Sequence, residues 1–544
     1  MGRGKDTQKG NNITLVKEEE INTVTDKQTF SCWRLNRHKK FKGSGIEPTV
    51  SEILNRMVEY GVYEIPPQKA YLKRVQDHIR VILCNLISAY QTDKDIWISF
   101  LLGSGAYKYP RFTKGFRFSH QNVDRVTKFL KSQKYIYFIP GHDDSMGVNP
   151  KPSKMRATKK LIDLVKKLRP EEPLLFRDSL PPLETRIDYR NIQTVKMKGV
   201  RYLNKAKRLP GKRYKKWLRK PAKIPARYSR RAKQIAKDVM KINALYDAAD
   251  IDLDLTPEQF RAMNEQLKRD PDKTPVDMNQ KYLYRIYHDR RIDRHGRWYG
   301  PAYQSIPKEY RQTLMINGDY TVELDYKSLH PTMLYCMEGM SIPSEDLYTL
   351  PGYDHDWDNL SDCPFRKLFK LVLLTMINAE GDDEVVGSVC NEWAKKRAKA
   401  KAKAKKEGLP NPELPKPPIR LTKINLLQII QQIKDKHKPI AKYFDDPGIG
   451  NQLMYKDSQI MEKVLLHFTD KGIVALPEHD SVIISIEHAE ECRQVMKNEF
   501  KAVFGQDIRI TGSVSEALER GMNRTPVVKR SPRMLELEKC KMCS

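Results

Sequence analysis

Two aspartates stand where a strand gives way to a turn. Asp325 follows Thr321-Val322-Glu323-Leu324, in which Val322 and Leu324 alternate with Thr321 and Glu323 in the two-residue period of a half-buried strand. Leu329, Met333 and Leu334 then recur at helical spacing behind Ser328, a residue type suited to capping a helix. Asp325 is therefore expected at a strand end beside a helix start. Asp480 lies within Gly472-Ile473-Val474-Ala475-Leu476-Pro477-Glu478-His479-Asp480-Ser481-Val482-Ile483-Ile484-Ser485, where two short β-branched runs flank a tight turn, the pattern of a hairpin with an acid at its tip. Two carboxylates delivered from strand ends suit magnesium, which takes hard oxygen ligands and only one or two carboxylates from the protein. A pair of such ions clamps the attacking and leaving oxygens of an in-line phosphoryl displacement. The ordinary alternative, an unremarked turn acid, is costly for Asp480, because a carboxylate among Val and Ile side chains needs a partner.

Positioning these acids requires a sheet, and the residues around them fit a known one. Asp325-Tyr326-x-Ser328-Leu329-His330-Pro331 resembles motif A of template-dependent polymerases with a right-hand palm, and His479-Asp480-Ser481 in its apolar hairpin resembles their motif C. Between them, Arg366-x-x-x-Lys370 opens an apolar helical run from Leu371 to Ile377 that resembles the fingers helix, motif B, of family A DNA polymerases and of phage- and mitochondrial-type single-subunit RNA polymerases. Upstream, Asp293-Arg294-His295-Gly296-Arg297-Trp298-Tyr299 resembles the Asp-x-Arg-Gly-Arg-x-Tyr element of the RNA enzymes, with His295 where Arg is usual, and the segment from Gly296 to Gln304 resembles its counterpart in the DNA enzymes. The resemblance covers the C-terminal half of the chain. It implies an α+β right-hand polymerase fold, with a palm of antiparallel sheet and helical fingers and thumb.

The resemblance also assigns roles. Asp325 and Asp480 hold two Mg²⁺ ions, for which Mn²⁺ can substitute, and the backbone carbonyl of Tyr326 joins them as a ligand. Arg366 and Lys370 share a helix face and reach the triphosphate, with Lys370 placed to protonate the departing pyrophosphate; the plain reading is two exposed cations. Leu374 and Asn378 continue that face toward the nucleotide, but Leu374 replaces an aromatic or polar residue, and Asn378-Ala379 replaces Tyr-Gly. His330 sits where the DNA enzymes carry a bulky gate against the ribose 2′-hydroxyl, which favours deoxynucleotides; the alternative is a buried, hydrogen-bonded histidine. Ser481 favours the RNA enzymes, since His-Asp-Glu is usual in the DNA ones. His479 is expected at the primer end, and Arg297, Tyr299, Gln304, Arg294 and Arg311 along the template or primer strand.

The chain has 544 residues and a net charge of +31, from 99 Lys and Arg against 68 Asp and Glu. That surplus is spread over several stretches and fits a polyanionic partner, nucleic acid first of all. No apolar run approaches the ~18 residues of a membrane span, and a cytoplasmic protein is expected. The eight cysteines are scattered, which favours reduced thiols over a disulfide framework. Cys540-x-x-Cys543 lacks a second pair and reads as tail rather than a zinc site.

Along the chain, residues 1–45 read as a flexible basic arm. Residues 46–169 read as a mostly helical, winged-helix-like nucleic-acid-binding domain: Ser119 caps a helix bearing Val123, Val126, Phe129 and Leu130, followed by the strand Tyr135 to Ile139, a polar tip and a basic return strand. Residues 170–279 read as a basic connector and a helical, thumb-like region. There Lys196-Met197-Lys198 and Lys212-Arg213-Tyr214-Lys215-Lys216-Trp217 bring cations near aromatics, a mixture suited to phosphates and stacked bases. Asp250-Ile251-Asp252-Leu253-Asp254 reads as an acidic loop beside a helix. Residues 280–524 form the expected palm and fingers, with a basic insertion at 394–418, and residues 525–544 form a tail. The expectation is a primer-extending DNA polymerase acting on primed DNA with nucleoside triphosphates. The alternatives are a single-subunit RNA polymerase or primase-like enzyme, and a replication-initiation or DNA-binding protein without activity.

Overall fold

The computed structural model describes residues 32–36, 39–41, 45–66, 68–100, 119–141, 152–168, 185–187, 194–199, 202–205, 215–218, 221–268, 273–357, 359–406, 414–524 and 527–528. The stretch 142–151, expected as a polar tip, and the tail from 529 lie outside the described residues, as does most of the expected arm.

The chain packs a mixed α/β structure around two separate apolar cores. The first is built from β1 (Cys32–Arg34), α1 (Glu47–Glu59), α2 (Lys69–Thr92), β3 (Trp97–Phe100), α3 (His120–Ser132), β4 (Ile136–Ile139), β5 (Ser153–Ala157) and α4 (Lys159–Lys167). Its sheet has the order β1-β3-β5-β4; β3 and β4 flank β5 antiparallel, and β1 joins β3 in parallel. Ser119 caps α3 by accepting from the Asn122 amide, as the sequence indicated, and Thr158 caps α4 in the same way through the Leu161 amide. A further strand, β2 (Lys39–Phe41), pairs with β6 (Thr185–Ile187).

The segment read as a connector instead supplies sheet. β7 (Val195–Lys198) runs parallel to β12 (Tyr284–Tyr287), in a sheet of order β10-β7-β12-β13 completed by β10 (Pro221–Ala222) and β13 (His295–Tyr299). Between β7 and β10, β8 (Tyr202–Lys205) and β9 (Lys215–Leu218) form a separate hairpin. The helix α5 (Ser229–Ala248) follows. The acidic stretch read as a loop is the strand β11 (Ile251–Leu253), whose Ile251 and Leu253 are buried while Asp252 faces out. Then comes α6 (Pro257–Lys268).

The larger core lies beneath a second sheet, antiparallel throughout, of order β11-β14-β15-β17-β16. It contains β14 (Leu314–Ile316), β15 (Asp319–Tyr326), β16 (Ala475–Glu478) and β17 (Ser481–Ser485); β18 (Ile510–Thr511) pairs with the far end of β15. In β15, Tyr320, Val322, Leu324 and Tyr326 point into the core, so Glu323 and Asp325 share the opposite face. All five residues of β17 are buried, which accounts for its unbroken Val482-Ile483-Ile484 run. The helices are α7 (Lys308–Arg311), α8 (Leu329–Met337), α9 (Pro364–Met376), α10 (Asp382–Lys406), α11 (Lys423–Lys436), α12 (Ile449–Asp470), α13 (Ala489–Phe504) and α14 (Val514–Met522). The basic insertion is in part the last turns of α10.

α12 wedges between the two sheets. Arg285, fully buried on β12, donates to the Ser458 hydroxyl (2.9 Å) and lies 2.9 Å from Glu462, while Trp298 on β13 donates to the Ser458 carbonyl. The two cores touch through Trp33, whose indole donates to the Pro275 carbonyl (2.8 Å), and through Lys268, 2.5 Å from Asp93.

Candidate active site

Strand register brings the two aspartates together. Asp325 lies opposite Ser481 across the β15–β17 ladder, and Asp480 immediately precedes Ser481. The hairpin closes tightly, since Glu478 and Ser481 are cross-strand partners with only His479 and Asp480 between them. His479 takes a left-handed backbone (φ 58°), which re-aims the chain at the tip. On the other edge of β15, β18 approaches so closely that a Cβ at Gly512 would meet the Glu323 carbonyl at 2.4 Å, and Gly512 has φ +118°. Only glycine fits there, and the approach lets Thr511 donate to the Asp325 carbonyl (3.2 Å).

Asp325 and Asp480 are part of a larger acidic group. Glu323 lies two residues before Asp325 on the same strand face, and Glu478 ends the paired strand. Arg311 spans both, 3.2 Å from Glu323 and 3.5 Å from Glu478. Surrounding protein, then Asp480 and Glu323, push the Asp325 carboxyl up to about 7, against the opposite pull of Lys370 and Lys308. The residue is nevertheless exposed to solvent. Burial pushes Glu478 up to about 7 as well; Arg311 opposes this, and Glu323 and Asp480 add to it. A cavity of about 260 Å³ opens on this face, walled by Asp325, Glu323, Lys308 and Arg311 and closed opposite by Thr511, Glu516 and Arg520.

This donor set suits a divalent cation. Crowded carboxylates that repel one another into partial protonation are relieved by a positive ion between them. Among the described residues no group of three or more His, Cys, Asp or Glu side chains gathers closely enough to hold an ion by itself.

α9 brings its cations to the same cleft. Lys370 is exposed, its ammonium 5.5 Å from the centre of the Tyr348 ring. Arg366 is less available: Asp346 holds its guanidinium by two hydrogen bonds (3.0 and 2.8 Å), and it too lies over Tyr348 (5.2 Å). Leu374 and Asn378 continue the face, Leu374 half-buried and Asn378 exposed with its amide on the Leu374 carbonyl. Tyr348 gave no signal in the sequence. Burial pushes its phenol up to about 12, and Ser328, Arg366 and Asp480 all act on it. Ser328 turns its hydroxyl to Tyr348 and does not cap α8 with its side chain; its backbone is left-handed (φ 55°).

No protein-family model matches the chain, and no curated protein matches it. Among solved structures it matches the POL domain of Pol1 from M. smegmatis in complex with DNA primer-template and dNTP, at 8% identity and a TM-score of 0.27. The match covers 52% of this chain and 51% of that one, so the chain spans about half the length of that structure. A likeness that weak carries no argument about activity.

Several residues expected along the nucleic acid are committed to the protein. Arg297 donates from Nε to Asp457 (2.9 Å) and from Nη2 to the same carboxylate, and His330 Nε2 lies 3.0 Å from both Arg297 Nη2 and Asp457. His330 is thus buried and hydrogen-bonded within the protein. Arg311 serves Glu323 and Glu478. Arg294 donates to the Gly448 carbonyl (3.0 Å). Gln304 donates to the Trp298 and Pro477 carbonyls and accepts from the Gly300 amide, which ties β13 to the hairpin. The Ser481 hydroxyl donates to Glu323 (2.8 Å) and is buried. Tyr326 is buried with its hydroxyl on the Met496 carbonyl (2.8 Å). Tyr299 and His479 meet edge to face, their rings 5.9 Å apart. Surrounding protein, then Arg297, push the His479 imidazole below its usual range, against the pull of Asp480 and Asp457.

Proposed function

We propose that the protein is a template-dependent nucleotidyltransferase that extends a nucleic-acid 3′ end from nucleoside triphosphates. The observation that carries this reading is the register of Asp325 against Ser481, with Asp480 next to it at the hairpin tip. In this reading Asp325 and Asp480 would hold two divalent ions. The bound ions supply the Lewis acidity that lowers the pKa of the 3′-hydroxyl and neutralises the triphosphate. The 3′-hydroxyl gives its proton to solvent, its oxygen bonds to the α-phosphorus as the bond to the bridging oxygen breaks, and pyrophosphate leaves. Lys370 reaches the triphosphate and gives a proton to the departing pyrophosphate. Tyr348 fixes the α9 cations relative to Asp480, and the Arg297–Asp457–His330 cluster braces the floor beneath. Arg366 keeps its pairing with Asp346 and lends charge rather than a free fork.

In the same reading the sheet of order β11-β14-β15-β17-β16 is the palm, α9 to α11 are the fingers, and the first core is a winged-helix-like module that grips DNA. A primed DNA template is the first substrate to test, with ribonucleotides alongside.

The experiment is extension of a labelled primer with Mg²⁺, offered both sugar classes on primed and unprimed templates. Extension that is lost in Asp325→Asn and in Asp480→Asn supports the reading. A parent protein that binds primed template but never extends it, under any of these conditions, overturns it in favour of a binding protein.

A further inference from the structure

We propose that a cavity between α10 and the segment 414–421 receives an unpaired base of single-stranded nucleic acid, while the basic end of α10 lies along the phosphates of that strand. The inference is independent of the polymerase reading, because it concerns binding alone and its residues do not line the cavity at Asp325.

α10 changes character along its length. Its first half packs: Val385 and Val389 are buried, and Val386, Cys390 and Trp393 rest partly buried against the larger core. Lys395, Lys396, Arg397 and Lys401 are then exposed. From Lys395 on the helix is carried by Lys and Ala, both strong helix formers. The helix dipole favours cations in the last turn, yet Lys395 stands about three turns before the end at Lys406. Residues 394–420 hold ten Lys and Arg against two Glu. Among the described residues Lys395 has Glu392 at 3.7 Å, whereas Arg397, Lys401, Lys416 and Arg420 have no ion-pair partner. Arg397 and Lys401, four apart, share a helix face.

The returning segment builds the opposite wall. Its base is fixed: the Asn425 side chain donates to the Arg420 carbonyl (2.8 Å), Thr422 caps α11 through the Asn425 amide, and Lys423 lies 2.8 Å from Asp383 at the start of α10. Between the two runs lies a cavity of about 520 Å³, walled by Trp393, Pro417, Pro418 and Ile419 and flanked by Arg397 and Arg420. The Lys396 ammonium lies 4.7 Å from the centre of the Trp393 ring, and the indole N–H of Trp393 has no acceptor among the described residues.

Apolar walls with a few polar groups, at a volume within the ~300–1,000 Å³ of small-ligand sites, suit a flat ring. The two free guanidinium groups add a demand for negative charge, which phosphate meets through paired hydrogen bonds. A nucleobase carried on its phosphate satisfies both. A duplex keeps its base faces stacked inside and has no ring to offer. A free nucleotide could fill the cavity but would leave Lys401 and Lys416 unanswered, whereas a strand engages ring site and cations together.

The test uses the full chain carrying Asp325→Asn, without divalent ions, so that catalysis plays no part. An oligodeoxythymidylate with one 5-iodouracil base is bound and irradiated, and the crosslinked peptides are identified by mass spectrometry. The expected result is a crosslink at Trp393 that unlabelled single strand competes away, and that blunt duplex, nucleoside triphosphate and polyglutamate of equal charge do not. No crosslink at Trp393 overturns the proposal, as does competition by any of those three that matches the single strand. Arg397→Ala with Arg420→Ala changes two exposed side chains. In fluorescence anisotropy it should shrink the slope of log affinity against log salt by about 1.4, at about 0.7 per phosphate contact; an unchanged slope overturns the proposal. Trp393→Ala should weaken single-strand binding by about tenfold with duplex binding unchanged, and Trp393→Phe should retain it; equal loss for both nucleic acids overturns the proposal. A chain that binds in this way but never extends a primer would count against the proposed activity alone.

Discussion

Replacing Asp325 by Asn should make the protein more stable in the absence of divalent ions, and increasingly so as the pH rises. The folded state raises this carboxyl from its ordinary 3.8 to about 7. A carboxyl whose folded pKa lies above its unfolded one binds its proton more tightly when folded. Its contribution is therefore fully present below about pH 4 and is lost as the pH climbs to about 7. At full strength that interval corresponds to about 4 kcal/mol, at 1.36 kcal/mol per pK unit. Asp325 reaches solvent, so screening reduces the effect to about 1–2 kcal/mol. Asn has no proton to lose and keeps the shape, so the gap between variant and parent should widen between about pH 4 and pH 7 and level off above that. Thermal melts across this range measure it, with an expected difference in Tm of a few degrees at pH 8, on the order of 2–4 °C per kcal/mol. Adding Mg²⁺ at pH 8 should restore the parent and leave the variant unmoved, because the ion relieves the repulsion that Asn has already removed. Parallel melting curves for the two proteins at every pH, with equal responses to Mg²⁺, would refute the electrostatic picture of the site.

Other consequences are sharper but narrower. Asp457→Ala strands Arg297 in a buried setting and should cost about 3–5 kcal/mol of stability in chemical denaturation. Lys370→Ala should lower kcat for extension by about a hundredfold while leaving template binding intact, measured in single-turnover assays. Gly512→Ala forces a Cβ against the Glu323 carbonyl at a left-handed position and should destabilise the protein by about 1–3 kcal/mol, read from melts. His330→Gly should lower stability through the Arg297–Asp457 cluster without relaxing the choice between deoxy- and ribonucleotides; a relaxed choice in competition assays would restore His330 as a gate.

What was legible in the sequence was local. The alternation through Val322 and Leu324 fixed which face Asp325 shares, and by the same alternation Glu323 was readable as its neighbour. The β-branched runs around His479 and Asp480 marked the hairpin, and Ser119 marked its helix. The spacing of Ile251 and Leu253 also announced a strand, but the acids beside and between them, Asp250, Asp252 and Asp254, drew the reading toward a loop. Pairings made at a distance left no local trace. Lys196 to Lys198 looked like a basic linker, because nothing in that short run tells that it will lie along Tyr284 to Tyr287. Asp457 is one acid on an amphipathic helix until the fold brings Arg297 and His330 to it. Arg311 and Gln304 were assigned to nucleic acid through the resemblance, whereas carboxylates and backbone carbonyls of the protein claim them first, since an unpaired buried group is costly.

The account depends on Asp325 and Asp480 acting together on the same ions. Electron paramagnetic resonance of Mn²⁺ titrated into the protein with a chain-terminated primed template and nucleoside triphosphate tests this directly. The expected result is tight Mn²⁺ binding by the parent and its loss in Asp325→Asn and in Asp480→Asn alike. Full Mn²⁺ binding in both variants would contradict it.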